Sequence, residues 1–568
     1  MALYKTLECD VLVIGGGAAG CGAAIKARDF AERVVLVDKG RVGKSGVSPF
    51  AAGIWDIKFP EDDTEVWIKE IIEHGEYLSD QEWTKIWVNR IFEASMELDK
   101  WGQQYGVQIF EKDDKGNIIR RKARSHINTT CSFINALPMM DAMRKKARER
   151  GVNFVERTVV TALATNDGKV VGAIGFNYRT GDVYLFKAKA VVAAGGNHSF
   201  SRHFTGTKAM SGGVIAACYE AGAVMYRFEG ITSNTMARDF TIHGLNLIVA
   251  SGGRFINAKG EEFMWDYTPE LGNRAGLATL ALSFCTEVKE GRGPIYLDMS
   301  LATPEAQQLM RKLLPESFTT WDRSGIDFFK DMISWMPSLR GNGGVSINTC
   351  CETSMPGLYG AGDSAARPPQ GTCTIGGQCI GYAFLAGVIA GENAAPYASA
   401  IKDPGWEKAN LDEQVARATA EFIAPMDRAE GIDPEDVIYK IQEIMVPYPV
   451  SFIRNEERLL KAIAKIEEIR HELIPAMKVS DIHYLAKVQQ AKGLGLVSEL
   501  TLRSALFRKE SRGFHHREDY PYTDNRNWLK WVMLKKENGQ PKIWAEDVPT
   551  PYFRPGEAMT IPPGLKKR

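Results

Sequence analysis

The sequence predicts an α/β fold in which a parallel-sheet domain is interrupted by an α+β capping domain and followed by a C-terminal helical domain. Three observations predict it. The chain opens on a strand, a glycine-rich turn, a helix and a second strand; a second strand-and-glycine unit, PGLYGAGD, returns far downstream; and beyond about residue 402 the spacing of apolar residues turns helical. A chain of 568 residues has room for several domains. The changes of texture place the sheet domain at 1–229 and 335–400, the cap at 230–334, the helical domain at 401–510 and a C-terminal extension at 511–568.

Taken in order, Asp10 to Ile14 (DVLVI) reads as a short buried strand, Gly15 to Gly20 as a tight turn, Cys21 to Ala31 as a helix and Val34 to Val37 as the second strand. This is the Rossmann-like opening of a dinucleotide site. Gly15 permits the turn, Gly17 lets a pyrophosphate approach the backbone, and Gly20 lets helix and strand pack closely. The helix N-terminus supplies N–H groups and positive potential, and Ala18 and Ala19 in the turn before it are candidate cofactor contacts. Asp38 stands eighteen residues after Gly20, near the spacing at which a carboxylate takes ribose hydroxyls. Lys39, Lys44, Ser45 and Gly46 follow it as further candidates for the cofactor wall.

Residues Val152 to Gly196 read as strands and hairpins, with NDG and RTGD as turn signals. Val159 and the strand end Ala194, Gly195 and Gly196 are candidate cofactor contacts. In PGLYGAGDSAA a strand closes on Gly362 and Asp363, and the Gly-rich stretch after it leads through Gly377 and Gln378 into a helix whose positive end can face a cofactor. Asn455 to Met477 and Val497 to Lys509 have amphipathic helical spacing, and a Pro- and aromatic-rich tail begins at Tyr520.

Lys plus Arg and Asp plus Glu are both 70, which excludes the cationic field expected of a nucleic-acid or membrane-surface protein. No apolar run reaches 18 residues and the start carries no secretory pattern, so a cytoplasmic protein without a transmembrane segment is expected. The nine cysteines are scattered with no CxxC pair, against a structural metal or a self-contained iron-sulfur cluster. Adjacent Cys350 and Cys351 read as two buried thiols.

In this order, DVLVIGGGAAG, PGLYGAGD and above all RKESRGFHHREDYP (Arg508 to Pro521) with Asn527, Trp528 and Leu529 are similar to the flavoprotein subunit family of succinate dehydrogenase, fumarate reductase, L-aspartate oxidase and adenylylsulfate reductase. The resemblance covers nearly the whole chain. Residues 75–116 and 418–426 look most like the α chain of adenylylsulfate reductase. The resemblance implies FAD as cofactor and, as partner, a ferredoxin-like iron-sulfur subunit, hence a hetero-oligomer. In the C-terminal signature, Arg512, His515, Arg517 and Asp519 read as a buried ion-pair and hydrogen-bond network.

Several positions depart from the family. Where fumarate reductases carry a substrate-binding His in a QFHP-type string, this chain reads Arg227, Phe228, Glu229, Gly230. Leu339 replaces the second His, and Ile231 stands where adenylylsulfate reductase has an Arg. PELGNRA resembles the family string whose Arg delivers a proton to an alkene, which makes Arg274 a catalytic candidate although Ala275 replaces the following Asp. Arg340 is a second cation for an anionic substrate, and Glu229 is a candidate acid or base, or a loop cap. The S-H-T string that tethers flavin covalently is replaced by Lys44, Ser45, Gly46 and Val47, so FAD is expected to be non-covalent. The expected activity is two-electron redox of a small anionic substrate, with electrons exchanged with the iron-sulfur subunit. The alternatives are a reductase of a carbon-carbon double bond and a non-catalytic or RNA-modification FAD subunit.

Overall fold

The computed structural model describes residues 4–565, apart from 52, 202–209, 233–234, 240–243, 338 and 374. Its centre is a seven-stranded sheet. Lys5–Ile14 pairs in parallel with Val34–Asp38 on one side and with Val183–Ala193 on the other, and Asn153–Glu156 continues beyond Val34–Asp38. DVLVI carries apolar residues on consecutive positions because both faces of this part of the sheet are covered. The strand runs five residues further back than its apolar core. Lys5 to Cys9 find partners in Tyr184 to Ala188 although only Cys9 among them is buried.

The Val183–Ala193 strand then forks the sheet. Its first residues pair antiparallel with Lys169–Asn177, which turns back on Thr158–Asn166, and its last three pair in parallel with Leu358–Gly360. The NDG signal is a tight turn, with positive φ at Asp167 (45°) and Gly168 (76°).

Two helices follow parallel strands of this sheet and lie against each other. The first spans Ala18–Ala27, starting three residues before the expected Cys21 and ending at Arg28, whose side chain donates to the Ala31 and Arg150 carbonyls, both at 2.7 Å. The second spans Gln378–Ala400. Their close approach needs glycine: an added Cβ would lie 2.0 Å from the Ala19 carbonyl oxygen at Gly387 and 2.4 Å from that of Ala23 at Gly391. The long helix starts nine residues before Gly387, so its N-terminus reaches further than that of the first helix along the same side.

The chain between these parts of the sheet builds a four-stranded antiparallel sheet in the order Thr235–Ala237, Ile333–Pro337, Ile295–Asp298, Arg254–Ile256. The Leu277–Lys289 helix packs on it, with Phe284 edge-on to Phe255 at 4.8 Å. Downstream, helices Pro434–Met445, Glu456–Glu468 and Ile482–Phe507 are each capped by an Asp or Asn that accepts first-turn N–H groups. The expected 455–477 helix closes at Glu468 in a π turn over Ile469–Leu473, and the 497–509 segment is the second half of a helix that starts at Ile482. The tail is not irregular throughout. Lys530–Glu537 and Gln540–Asp547 form a hairpin about Asn538–Gly539, and the first of them pairs with Met225–Tyr226. An Asn-Gly turn signal is legible there in the sequence. Among the described residues no helix is long and apolar enough to cross a membrane.

The C-terminal signature is a network that is buried at Arg508, Glu510, Arg512, His515 and Arg517, whereas Asp519, expected inside it, reaches the surface. Arg517 grips Asp519 through two bonds of 2.7 and 2.6 Å, Arg512 grips Glu510 through bonds of 2.8 and 2.9 Å, and Arg508 binds both Glu510 and Glu229. His515 Nδ1 lies 2.7 Å from Arg454, and burial together with the surrounding arginines holds its imidazole neutral. Of the vicinal cysteines only Cys351 is buried. Cys350 is exposed, because the turn that carries it faces solvent, which corrects the expectation of two buried thiols.

His198 sits between Phe200 and Phe228, and neither ring nitrogen has a hydrogen-bond partner among the described residues. Burial pushes its imidazole down to about 3. The unfolded chain takes up a proton below about 6.5 that the folded chain refuses, so stability is lost as pH falls from there toward 3, by about 2 kcal/mol at pH 5. We expect urea midpoints of the wild type to fall between pH 7 and 5 and those of His198→Gln to fall less; equal slopes would disprove it.

Candidate functional site

One large cavity, about 1360 Å³, opens where the two helix N-termini meet the end of the central sheet. That exceeds the roughly 300–1000 Å³ of ordinary small-ligand pockets and leaves room for a dinucleotide beside a small molecule. Its walls come from the Gly15–Ala19 turn, the Ala194–Asn197 strand end, the Thr158–Leu163 strand, residues 244–246 and 277 of the insert, and the Ile482–Phe507 helix.

The first turn is held by Asp38. Its Oδ2 accepts from Gly16 N at 2.6 Å, and its Oδ1 accepts from Gly40 N at 2.6 Å and Ser45 Oγ at 3.0 Å. Gly17 caps the first helix with no side chain of its own; the Ala18 N–H donates to Ser48 Oγ at 3.1 Å, and Gly17, Ala18 and Ala19 line the cavity. Gly20 lies one layer behind, where an added Cβ would sit 1.7 Å from the Gly15 carbonyl oxygen. Lys39 reaches Ser211 Oγ at 3.2 Å, and its enclosure pushes the ammonium down to about 8 against the pull of Asp38.

The long helix meets the same cavity through Gly377, which has φ 118° and again no side-chain cap. A Cβ there would lie 2.1 Å from Asp56 Oδ1. Asp56, His126 and Cys131 form a buried cluster behind this glycine, their ligand-type atoms within 4.8 Å of one another. Nε2 of His126 donates to the Gly376 carbonyl at 2.8 Å. Its Nδ1 faces Thr129 Oγ1 at 2.9 Å, and that hydroxyl gives its only proton to Glu70 at 2.6 Å. Both ring nitrogens therefore face acceptors, and the imidazole carries both protons. Burial opposes that charge, but Asp56 at 3.4 Å overrides it and pushes His126 up to about 10. A doubly protonated imidazole has no lone pair for a metal.

Of the expected cofactor residues, Gly15, Gly17, Ala18, Ala19, Asp38, Lys39, Ser45, Gly46, Val159, Ala194, Gly195, Gly196, Asp363 and Gly377 line the cavity. Gly20, Gly362 and Gln378 are buried behind its wall. Lys44 turns away and pairs with Asp141 at 2.6 Å. Of the three expected catalytic groups only Arg340 lines the cavity. Glu229 is buried outside the cavity wall, with its Oε1 accepting from Arg508 Nε at 2.9 Å. Arg274 ends a single turn, Gly272–Arg274, with its side chain exposed and its carbonyl accepting from Ser125 N at 3.2 Å. Leu339 is core: its carbonyl accepts from Ser199 Oγ at 2.8 Å and its side chain is buried.

Two cavity residues carry no local sequence signal. Arg124 comes from a loop without periodicity and is oriented by Asn246 Oδ1 at 3.0 Å and Ser125 Oγ at 2.9 Å. Cys379 follows the glycines of the long helix start. Arg124 and Arg340 together give the end of the cavity next to Cys379 a cationic lining.

Residues 10–380 match the FAD binding domain family and residues 439–564 the fumarate reductase flavoprotein C-terminal family. The chain is 28% identical to an FAD-dependent oxidoreductase of Methanocaldococcus jannaschii, covering 96% of this chain and 99% of that protein. It is 26% identical to a subunit of the CoM/CoB fumarate reductase of Methanothermobacter marburgensis, over 93% and 97% of the two chains. In fold it resembles the E. coli quinol fumarate reductase flavoprotein, with a TM-score of 0.88, 21% identity and coverage of 98% and 99%. It also resembles adenylylsulfate reductase of Archaeoglobus fulgidus, with a TM-score of 0.79, 21% identity and 96% of each chain.

Proposed function

Because this chain belongs to the FAD-dependent oxidoreductase family of fumarate reductase and succinate dehydrogenase flavoproteins, we propose that it moves two electrons between a small anion held at the Arg340 end of the cavity and a separate iron-sulfur subunit. The observation that carries this reading is the meeting in one cavity of two helix N-termini that open on glycine with the cationic lining of Arg124 and Arg340.

The residues fit FAD. Gly15 and Gly17 with the first helix start would take the pyrophosphate, Asp38 the ribose, and Asp363 with the Gly377 helix start the flavin side. The bound flavin supplies the two-electron chemistry. The protein's own work is to hold and orient: Asp38 fixes the turn, Asn246 and Ser125 fix the Arg124 fork, and a guanidinium can bind a carboxylate through two parallel bonds. Ser45, Gly46 and Val47 line the wall and put no imidazole there, and Gly46 has open space beside its Cα. Acid or heat should therefore release FAD into the supernatant; flavin that stays with the precipitated chain would refute non-covalent binding.

The Methanothermobacter relative is one subunit of an assembly, in keeping with a partner that carries the electrons onward. A carboxylate with a reducible carbon-carbon double bond is favoured as substrate over a sulfur nucleotide, since the chain is 26% identical over nearly its whole length to fumarate reductase subunits. Removing a charge-assisted bond costs about 1.5–3 kcal/mol, roughly 10- to 150-fold. Arg340→Ala should thus lower kcat/KM by at least about tenfold with FAD retained, and wild-type efficiency would rule out the cationic clamp. Arg274→Ala separates the chemistries. An enzyme that protonates carbon through Arg274 must close the insert over the cavity and would lose kcat steeply, whereas one that does not would keep it.

A further inference from the structure

Cys379 occupies the first turn of the Gln378–Ala400 helix, and its partly exposed sulfur borders the cavity. Arg367 Nη1 donates to that sulfur at 3.6 Å, and Gln370 Oε1 lies 3.5 Å from it. The Gln370 side chain is buried and its Nε2, on the same amide, has no hydrogen-bond partner among the described residues. Arg340 and Arg124 both line the cavity and both interact electrostatically with Cys379. Against these three cations stand Asp363, 3.8 Å from Arg367, and Asp56, which is already paired with His126. The balance around the sulfur is positive, and the uncapped helix N-terminus adds to it.

We propose that Cys379 is a covalent capture site for small carboxylates that bear an electrophilic carbon, with the arginines holding the carboxylate and the sulfur attacking the carbon. The proposal rests on the reading of this cavity as a site for a small anion. In the reaction the thiol sulfur supplies an electron pair, a carbon–sulfur bond forms, the bond from carbon to its leaving group breaks with that group taking its electrons, and the thiol proton passes to solvent. Nothing is oxidised or reduced. The product is an anionic thioether in a cationic pocket, so the arginines that attract the reagent also stabilise what it becomes. The thiols nearest to it along these elements differ: Cys21 and Cys373 are buried, and neither borders the cavity.

Iodoacetate and iodoacetamide have the same reacting carbon and leaving group but differ in charge, and exposed Cys350 provides a reference within the same chain. The FAD-loaded protein is treated with each reagent and the labelled cysteines are located by peptide mass. Cys379 should prefer iodoacetate by about tenfold more than Cys350 does, a factor in the range by which a charged cleft concentrates its counter-ion. Malonate, which cannot alkylate, should slow labelling of Cys379 by iodoacetate and leave Cys350 unaffected, and Arg340→Gln should erase most of the preference. No labelling of Cys379, or the same reagent ratio at both cysteines, would overturn the proposal, as would a preference indifferent to both malonate and Arg340→Gln. Labelling needs no turnover. A preference found in a protein that acts on no anionic substrate therefore defeats the functional reading alone, and turnover of an anion with an indifferent Cys379 defeats the capture site alone.

Discussion

Gly20→Ala is expected to leave a protein with little or no bound FAD. A Cβ at this position would lie 1.7 Å from the Gly15 carbonyl oxygen and 3.4 Å from Val13 Cγ1. The obstacle is backbone, so no rotamer change relieves it; the turn carrying Gly15 to Gly17 has to open. Overpacking of this kind costs about 1–3 kcal/mol, which corresponds to a roughly 5- to 150-fold loss of affinity if the cofactor must close the turn again. The check is the ratio of visible flavin absorbance to protein absorbance after gel filtration. Gly556→Ala, at a position with nothing within 4 Å, is the control and should keep its full flavin. A Gly20→Ala protein as yellow as the wild type would show that the first helix start does not hold the cofactor.

The second large effect is expected in the C-terminal network, whose charged residues do not line the cavity. Glu510 has no solvent exposure; it accepts two bonds from Arg512 at 2.8 and 2.9 Å, one from Arg508 and one from Asp524 N at 2.9 Å. Glu510→Gln removes the charge but not the volume, and leaves Arg512 buried without a hydrogen-bonded carboxylate. Breaking one side of a buried pair costs about 3–5 kcal/mol, against a total stability for ordinary domains of about 5–15 kcal/mol. A large fall in the urea midpoint should follow, while Glu457→Gln, which breaks the exposed Lys461 pair with side chains 71% and 72% accessible, should leave the midpoint nearly unchanged. Similar midpoints for the two variants would mean that the network is not structural.

Much of the fold and of the cofactor end of the site was legible because it is local. DVLVI, the glycine turn, the first helix and Asp38 lie within about thirty residues, and each has one conformation compatible with its residue types: glycine where φ is positive or a carbonyl comes close, consecutive apolar residues where both sheet faces are covered. NDG at the Asn166–Lys169 turn and PGLYGAGD were readable for the same reason, and the C-terminal network was expected where RKESRGFHHREDYP resembles the family's signature.

The cationic end of the cavity, and the places of Glu229 and Arg274, were decided by tertiary structure. Glu229 and Arg508 are 279 positions apart, and their ion pair makes Glu229 part of the core. Arg274 lies in the right string yet faces solvent, because the side-chain direction of a one-turn segment is set by how the insert lies on the sheet. Arg124, Arg340 and Cys379 line the cavity and Arg367 bonds Cys379; they come from separate segments of the chain, and only the fold brings them together. Short-range patterns record backbone conformation and the burial of a face. The coming together of charges from distant loops leaves no periodicity in any one segment, since it depends on how finished elements pack, and that was settled by the sheet and by the close contact of its two helices.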